Sequence, residues 1–293
     1  MKLNLIAEFK AHPRHAQSVL FSQDGSELAT TGMDALIQVW SVPEFDHSRS
    51  LKGHEKSANA IDLSPDGTIA ITGSTDRTVM IWDWETGEQI HRLPGHRNTV
   101  AAVEFSPDGT LAASSSYGGR VGIWKKGADS LEIFRSHPKH VTSLSFSIDG
   151  NSLATAGLGN IVKIWDVRSL ELLKEMEVPG QAATSCLYLP DGNLCCTTYE
   201  GELAIYAKET YELITSGFPK CGRANSSVFL PGTNSLVCSV DGGIVVLDLA
   251  GLEISAHYET GIKGMYGVAS SSDGGMAAAA SADGRCRVWE VIR

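Results

Sequence analysis

The feature that most constrains this chain is a spacing. Trp40, Trp82, Trp124, Trp165 and Trp289 each close a short β-branched run, as in Ile37-Gln38-Val39, Val79-Met80-Ile81 and Ile161-Val162-Lys163-Ile164. Tyr206 and Leu247 fill the two gaps, and the seven positions follow one another at 42, 42, 41, 41, 41 and 42 residues. A period of that length marks a repeat architecture, whose single unit cannot bury its own core and must pack on its neighbours. A second marker keeps the same register. Ser64-Pro65-Asp66-Gly67 and Ser106-Pro107-Asp108-Gly109 are matched by Gln23-Asp24-Gly25, Ile148-Asp149-Gly150, Pro190-Asp191-Gly192, Pro231-Gly232 and Ser272-Asp273-Gly274. These are tight turns, in which Pro presets φ and Gly supplies a positive φ. Apolar or alternating runs such as Ala60-Ile61-Asp62-Leu63 and Ile69-Ala70-Ile71-Thr72 flank them.

Each repeat therefore reads as strand, turn, strand, turn, Trp-ended strand and a fourth strand such as 88–93. Four short strands bury both faces only when several sheets pack radially. The expected fold is all-β: residues 1–293 as a single closed seven-bladed β-propeller of four-stranded antiparallel blades. The last repeat stops at Arg293, soon after Trp289, and lacks a fourth strand, while residues 3–9 supply a surplus one. Ile6 and Phe9 stand before His12 as Ile90 and Leu93 stand before His96. The N-terminal strand is therefore expected to close the ring and remove the open sheet edges.

Gly53-His54 and Gly95-His96 at the start of a repeat, with Trp82-Asp83 and Trp165-Asp166 at its end, resemble the tryptophan–aspartate (WD-repeat) β-propeller family over the whole chain. The resemblance implies a buried tetrad in a blade: His of the opening dipeptide, Ser or Thr on the second strand, Asp in the next turn, and Trp. Blade one offers His12, Thr30, Asp34 and Trp40, and blade two offers His54, Thr72, Asp76 and Trp82. Blades three and four keep His96, Ser114, Trp124 and His137, Thr155, Trp165, but Gly118 and Gly159 replace the acid. Blades five and six keep only Glu200 and Asp241, and blade seven keeps Asp283 with Trp289. Registered copies of Asp, His and hydroxyl beside Trp read as satisfied buried networks rather than hydrolytic triads.

Composition narrows the function. Apolar residues at 42% and charged ones at 20% suit a large core. Lys plus Arg is 24 against Asp plus Glu 34, and neither residues 1–165 (15 basic, 18 acidic) nor residues 166–293 (9 and 16) carries a basic excess. No direct nucleic-acid contact is expected. The amino terminus lacks a signal-peptide core, and no apolar run reaches the ~18 residues of a membrane span. Cysteines 186, 195, 196, 221, 238 and 286 show no CxxC spacing and read as inert thiols in a reducing, cytoplasmic setting. Asp62 and Glu104, at equivalent places on neighbouring innermost strands, read as a solvated channel wall. His15 and His140 are not in adjacent blades and form no shared metal site. Arg77, Arg120 and Arg285 form no phosphate clamp. No phosphate loop, HExxH or nucleophile elbow occurs, so neither enzyme activity, cofactor, metal nor small-molecule substrate is expected.

The resemblance also implies that partners dock on the face carrying the loops into the innermost strands and the turns that hold the tetrad Asp. There Met33, Tyr117, Leu158 and Tyr199 stand just before the Asp position, with His140, Arg223 and Tyr266 at the strand mouths. Aromatics beside Arg have the composition of a protein-binding hot spot. The reading is a non-catalytic interaction scaffold or adaptor subunit that binds one or more proteins on its rim. The rivals are an enzyme or small-ligand binder at the channel mouth, and a subunit of a nucleic-acid-handling assembly that does not touch the acid itself.

Overall fold

A computed structural model describes residues 1–180, 182–217, 219 and 222–293. The described strands form seven four-stranded antiparallel sheets arranged as a ring. Blade two is typical: Ala58–Leu63 lines the channel, Ile69–Ser74 and Val79–Asp83 follow outward, and Gln89–Leu93 is outermost. Blade seven takes three strands from the end of the chain, and Lys2–Lys10 supplies the fourth. That strand pairs antiparallel with Arg285–Ile292, from Lys2 opposite Ile292 to Lys10 opposite Arg285. The ring is closed by the N-terminal strand.

The turn chemistry explains why the repeats fold alike. Asp66 Oδ1 accepts hydrogen bonds from Ser64 Oγ (2.5 Å), Thr68 N (3.1 Å) and Thr68 Oγ1 (2.7 Å). Ser64 Oγ in turn accepts from Ile69 N at 3.1 Å, so the turn closes on its own side chains. Gly67 follows at φ 69°, a conformation glycine adopts without strain. Ser22/Asp24, Ser106/Asp108, Ser147/Asp149 and Ser271/Asp273 repeat the Ser-to-Asp bond. These bonds hold the carboxyl of Asp24 down to about 2 and depress the others as well.

The core lies between blades rather than inside one. Ile37, Val39 and Leu51 of blade one pack on Ala58, Ile61, Leu63, Met80 and Trp82 of blade two. Trp82, Trp124 and Trp289 are among the largest fully buried side chains. Removing one such blade–blade contact, for example Leu51→Ala, costs about 2–5 kcal/mol. Cys186, Cys195, Cys196 and Cys286 are buried free thiols, and burial pushes Cys186 and Cys195 up to about 12; Cys238 is buried as well. Cys221 lies outside the described residues. No helix among the described residues is long and apolar enough to cross a membrane.

Candidate functional site

Antiparallel order fixes which loops share an end of the ring. Every innermost strand begins at the end where the outer strand of the preceding blade finishes and where its own second turn lies. The tetrad histidines tie these two loops together. His54 Nδ1 meets Asp76 Oδ2 at 3.0 Å, His54 Nε2 meets Thr72 Oγ1 at 2.8 Å, and Trp82 Nε1 donates to Thr72 Oγ1 at 2.8 Å. In blade one, His12 meets Asp34 at 2.8 Å and Thr30 at 3.0 Å, and Trp40 donates to Thr30 at 3.1 Å. Burial opposes ionisation of Asp76, but the bonds from His54, Thr78 and Glu55 N outweigh it and hold the carboxyl well below the usual range.

The partial networks differ in a way spacing could not reveal. His137 and Trp165 still meet on Thr155, at 2.9 and 3.0 Å. In blade three, His96 Nε2 meets Ser114 at 2.8 Å, but Trp124 donates instead to the Ala128 carbonyl at 2.7 Å. His96 Nδ1 has no partner in the described structure. Burial lowers both histidines to about 4, with Arg120 reinforcing the effect at His96 and Lys163 at His137.

Blade seven departs furthest. Asp283 engages Arg287 rather than a histidine: Arg287 Nη2 donates to Asp283 Oδ2 at 2.7 Å, Nη1 to Ser281 Oγ at 2.8 Å and Nε to Glu8 Oε2 at 3.0 Å. Arg285 also reaches Glu8, at 3.1 Å. The N-terminal strand is thus bound by charge as well as by its backbone ladder. Trp289 Nε1 is left without a partner in the described structure.

The channel wall corrects one expectation. Asp62 and Glu104 are not simply solvated. Asp62 Oδ2 accepts from Phe105 N of the next blade at 2.7 Å, and Glu104 Oε1 accepts from Phe146 N (3.1 Å) and Ser145 Oγ (3.3 Å) one blade further on. Burial in the wall raises Asp62 to about 7, and burial together with the charge of Asp62 raises Glu104 to about 8. They act as clasps between blades. Nearer the mouth, Asn59 Nδ2 donates to the Val100 carbonyl at 2.9 Å, and Asn225 Nδ2 to the Met265 carbonyl at 2.8 Å.

At the mouth itself a funnel of about 880 Å³ is lined by Met33, Tyr117 and Tyr266 with Gln17, Asn59 and Thr142. Four large side chains stand exposed on the second turns: Met33 at 40%, Tyr117 at 42%, Leu158 at 54% and Tyr199 at 46%. Tyr117 stacks on exposed His140 with ring centroids 4.7 Å apart and planes 25° apart. The Arg223 guanidinium lies over the Tyr199 ring at 4.3 Å. Tyr266 leans on His15, its hydroxyl 3.4 Å from Nδ1. Tyr117 with His140 and Tyr199 with Arg223 are therefore pairs; of these four and Leu158, Tyr117 lines the funnel and the others stand on the rim around it. Sequence reasoning found these residues, and Thr142 with them, but not Lys56, whose place on the funnel depends on how the blades meet.

No group of three His, Cys, Asp or Glu side chains able to hold a metal occurs among the described residues. The funnel offers amides, hydroxyls and aromatic faces, a surface suited to peptide-like groups. The curated proteins contain no match to this chain. Family comparison matches residues 15–221 to the IFT122 first beta-propeller and residues 252–290 to the WD domain, G-beta repeat. Most of the chain falls within the first match, and the second covers most of the closing blade. The chain belongs to the IFT122 first beta-propeller family, within the WD-repeat propellers.

Proposed function

We propose that this propeller is a non-catalytic protein-interaction platform, a subunit of a larger complex, that docks its partner on the funnel end of the ring. WD-repeat propellers generally serve as interaction scaffolds and are typically non-enzymatic. The observation that carries the reading is the set of exposed side chains Tyr117, Leu158, Tyr199 and Met33 on turns of one end. Two of them are held in place, Tyr117 by His140 and Tyr199 by Arg223. Pre-oriented aromatic faces give contact area at low entropic cost, which is how hot spots work. His140, Arg223 and Tyr266 complete the surface. The buried free thiols fit a reducing compartment, and we assign the protein to the cytoplasm.

The test is affinity capture of the tagged protein from its source, beside the double variant Tyr117→Ala, Tyr199→Ala. The variant should melt within about 3 °C of the wild type, because turn tips add little to blade packing. It should lose the main partner. Retained partner with normal melting places the interface elsewhere, and loss of both makes the tyrosines packing residues.

A further inference from the structure

The acidic balance of the whole chain conceals a division between the two ends of the ring. At the end opposite the funnel, the Asp-Gly turns and third-to-fourth-strand loops hold fourteen acidic side chains against three basic ones. The funnel end is the reverse over most of its circumference. The described residues of the loops leading into the innermost strands carry Arg14, Lys56, Arg97, Lys139, Arg223 and Lys263, all exposed, and a single acid, Glu55. Glu55 is already bridged to Arg92 at 2.7 Å.

The acids of the second turns at this end divide by blade. Asp34, Asp76 and Asp283 are engaged by His12, His54 and Arg287. Glu200, Glu202 and Asp241 belong to blades five and six. What remains is an arc over blades seven, one, two, three and four. It holds Lys263, Arg14, Lys56, Arg97 and Lys139, none of which has an ion pair among the described residues. The arc passes the funnel residues Met33 and Tyr266 and ends at the Tyr117–His140 stack.

We propose that this arc binds an acidic peptide segment of the partner, Asp- and Glu-rich with aromatic or aliphatic anchors between the acids. The proposal rests on the reading of the funnel end as the docking face and names the chemistry docked there. Unpaired cations on loop tips supply charge to carboxylates, and the Tyr117–His140 face takes an apolar side chain. The opposite end repels the same segment. The division therefore orients the encounter as well as strengthening it.

The experiment uses a fluorescein-labelled peptide of about twelve residues, made of Glu and Asp with two Tyr and two Leu, read by fluorescence anisotropy. It should bind saturably and weaken at least ~10-fold between low and high salt. Arg14→Glu with Lys139→Glu should weaken binding at least ~10-fold at an unchanged melting temperature, while Glu85→Lys with Glu209→Lys on exposed loops of the opposite end should not weaken it. If charge reversal prevents folding, Arg14→Gln with Lys139→Gln carries the same test. No saturable binding up to about 1 mM, indifference to these changes, or tighter binding of a single-stranded RNA of equal charge overturns the proposal. The captured partner separates the two readings. If Tyr117→Ala with Tyr199→Ala loses it and the charge reversal keeps it, the docking face stands and the acidic segment falls. If the tyrosine variant keeps it, the docking face falls.

Discussion

Blades two and seven perform the same task with different chemistry. Both fasten the second turn, through Asp76 or Asp283, to the rest of the blade. Blade two uses His54 between Asp76 and Thr72, with Trp82 on the same hydroxyl. In blade seven Ala279 stands opposite Arg287 where Thr72 stands opposite Met80, and Arg287 joins Asp283 and Ser281 to Glu8 of the N-terminal strand. The first network joins residues close in sequence. The second spans almost the whole chain and is the place where the ring is made or lost. Local polar networks stabilise a blade, whereas the long-range charged clasp stabilises the circle.

The largest expected effect is at the circle. Deleting residues 1–10 removes the outer strand of blade seven, exposes the edge of Arg285–Ile292 and strips Glu8 from Arg287. The truncated protein should unfold or aggregate, seen as loss of the melting transition and of the monomer peak. A monomer with unchanged melting would show that closure contributes nothing.

Next is the clasp alone. Arg287→Ala leaves Asp283 without its cation and Glu8 with Arg285 alone, and should cost on the order of 2–3 kcal/mol. That is below the full value for a buried pair, because the Glu8 side chain is 36% exposed. The triple change Arg287→Met, Asp283→Asn, Glu8→Gln should recover most of the loss, since it removes the stranded charges. A silent Arg287→Ala would reduce the clasp to a surface pair.

Asp76→Ala should cost about 1–3 kcal/mol, because it strands a buried imidazole. Asp34→Ala should cost less, since its side chain is 15% exposed against 3% for Asp76. The pH dependence has a definite sign. Asp76 is depressed in the folded state, so its stabilisation is present above the unfolded value of about 4 and fades as the pH falls below it. Asp62 and Glu104 are raised to about 7 and about 8, so they work in the opposite direction. The folded state keeps their protons while the unfolded chain releases them, and stability is lost as pH rises from about 4 towards about 8. Asp62→Asn with Glu104→Gln should therefore flatten the decline on the alkaline side. Melting measured from pH 4 to 9 checks both signs.

The smallest effect sharpens the contrast within the middle blades. Gly118 does not sit at positive φ, and a Cβ there meets nothing closer than Asn98 at 3.4 Å. Gly118→Asp should give His96 Nδ1 the partner it lacks and raise stability by up to about 1 kcal/mol. Gly159 lies at φ 110°, so Gly159→Asp should destabilise although the two positions are equivalent in the repeat. Denaturant midpoints of the two variants decide it.

Period, turn chemistry and strand order were legible in the chain because each depends on residues within one repeat. A Trp, Tyr or Leu every 41 or 42 residues, a tight turn in register and a surplus first strand leave few alternatives to a ring of seven. The exposed positions Tyr117, Leu158 and Tyr199 could be found by the same counting. Their pairing could not. The stack of Tyr117 on His140 and the cation over Tyr199 join residues on different loops. Arg287 reaching Glu8, Asp62 taking the amide of Phe105, and Trp124 turning to the Ala128 carbonyl were likewise decided by how side chains meet after the sheets have packed. The sorting of acidic and basic loops to opposite ends has the same origin, since only the antiparallel order of strands assigns a loop to an end. Local sequence specifies backbone conformation through sterics and short-range hydrogen bonds. Which distant groups then share a buried or charged environment depends on the closure of the ring, where the geometry of all seven blades enters at once.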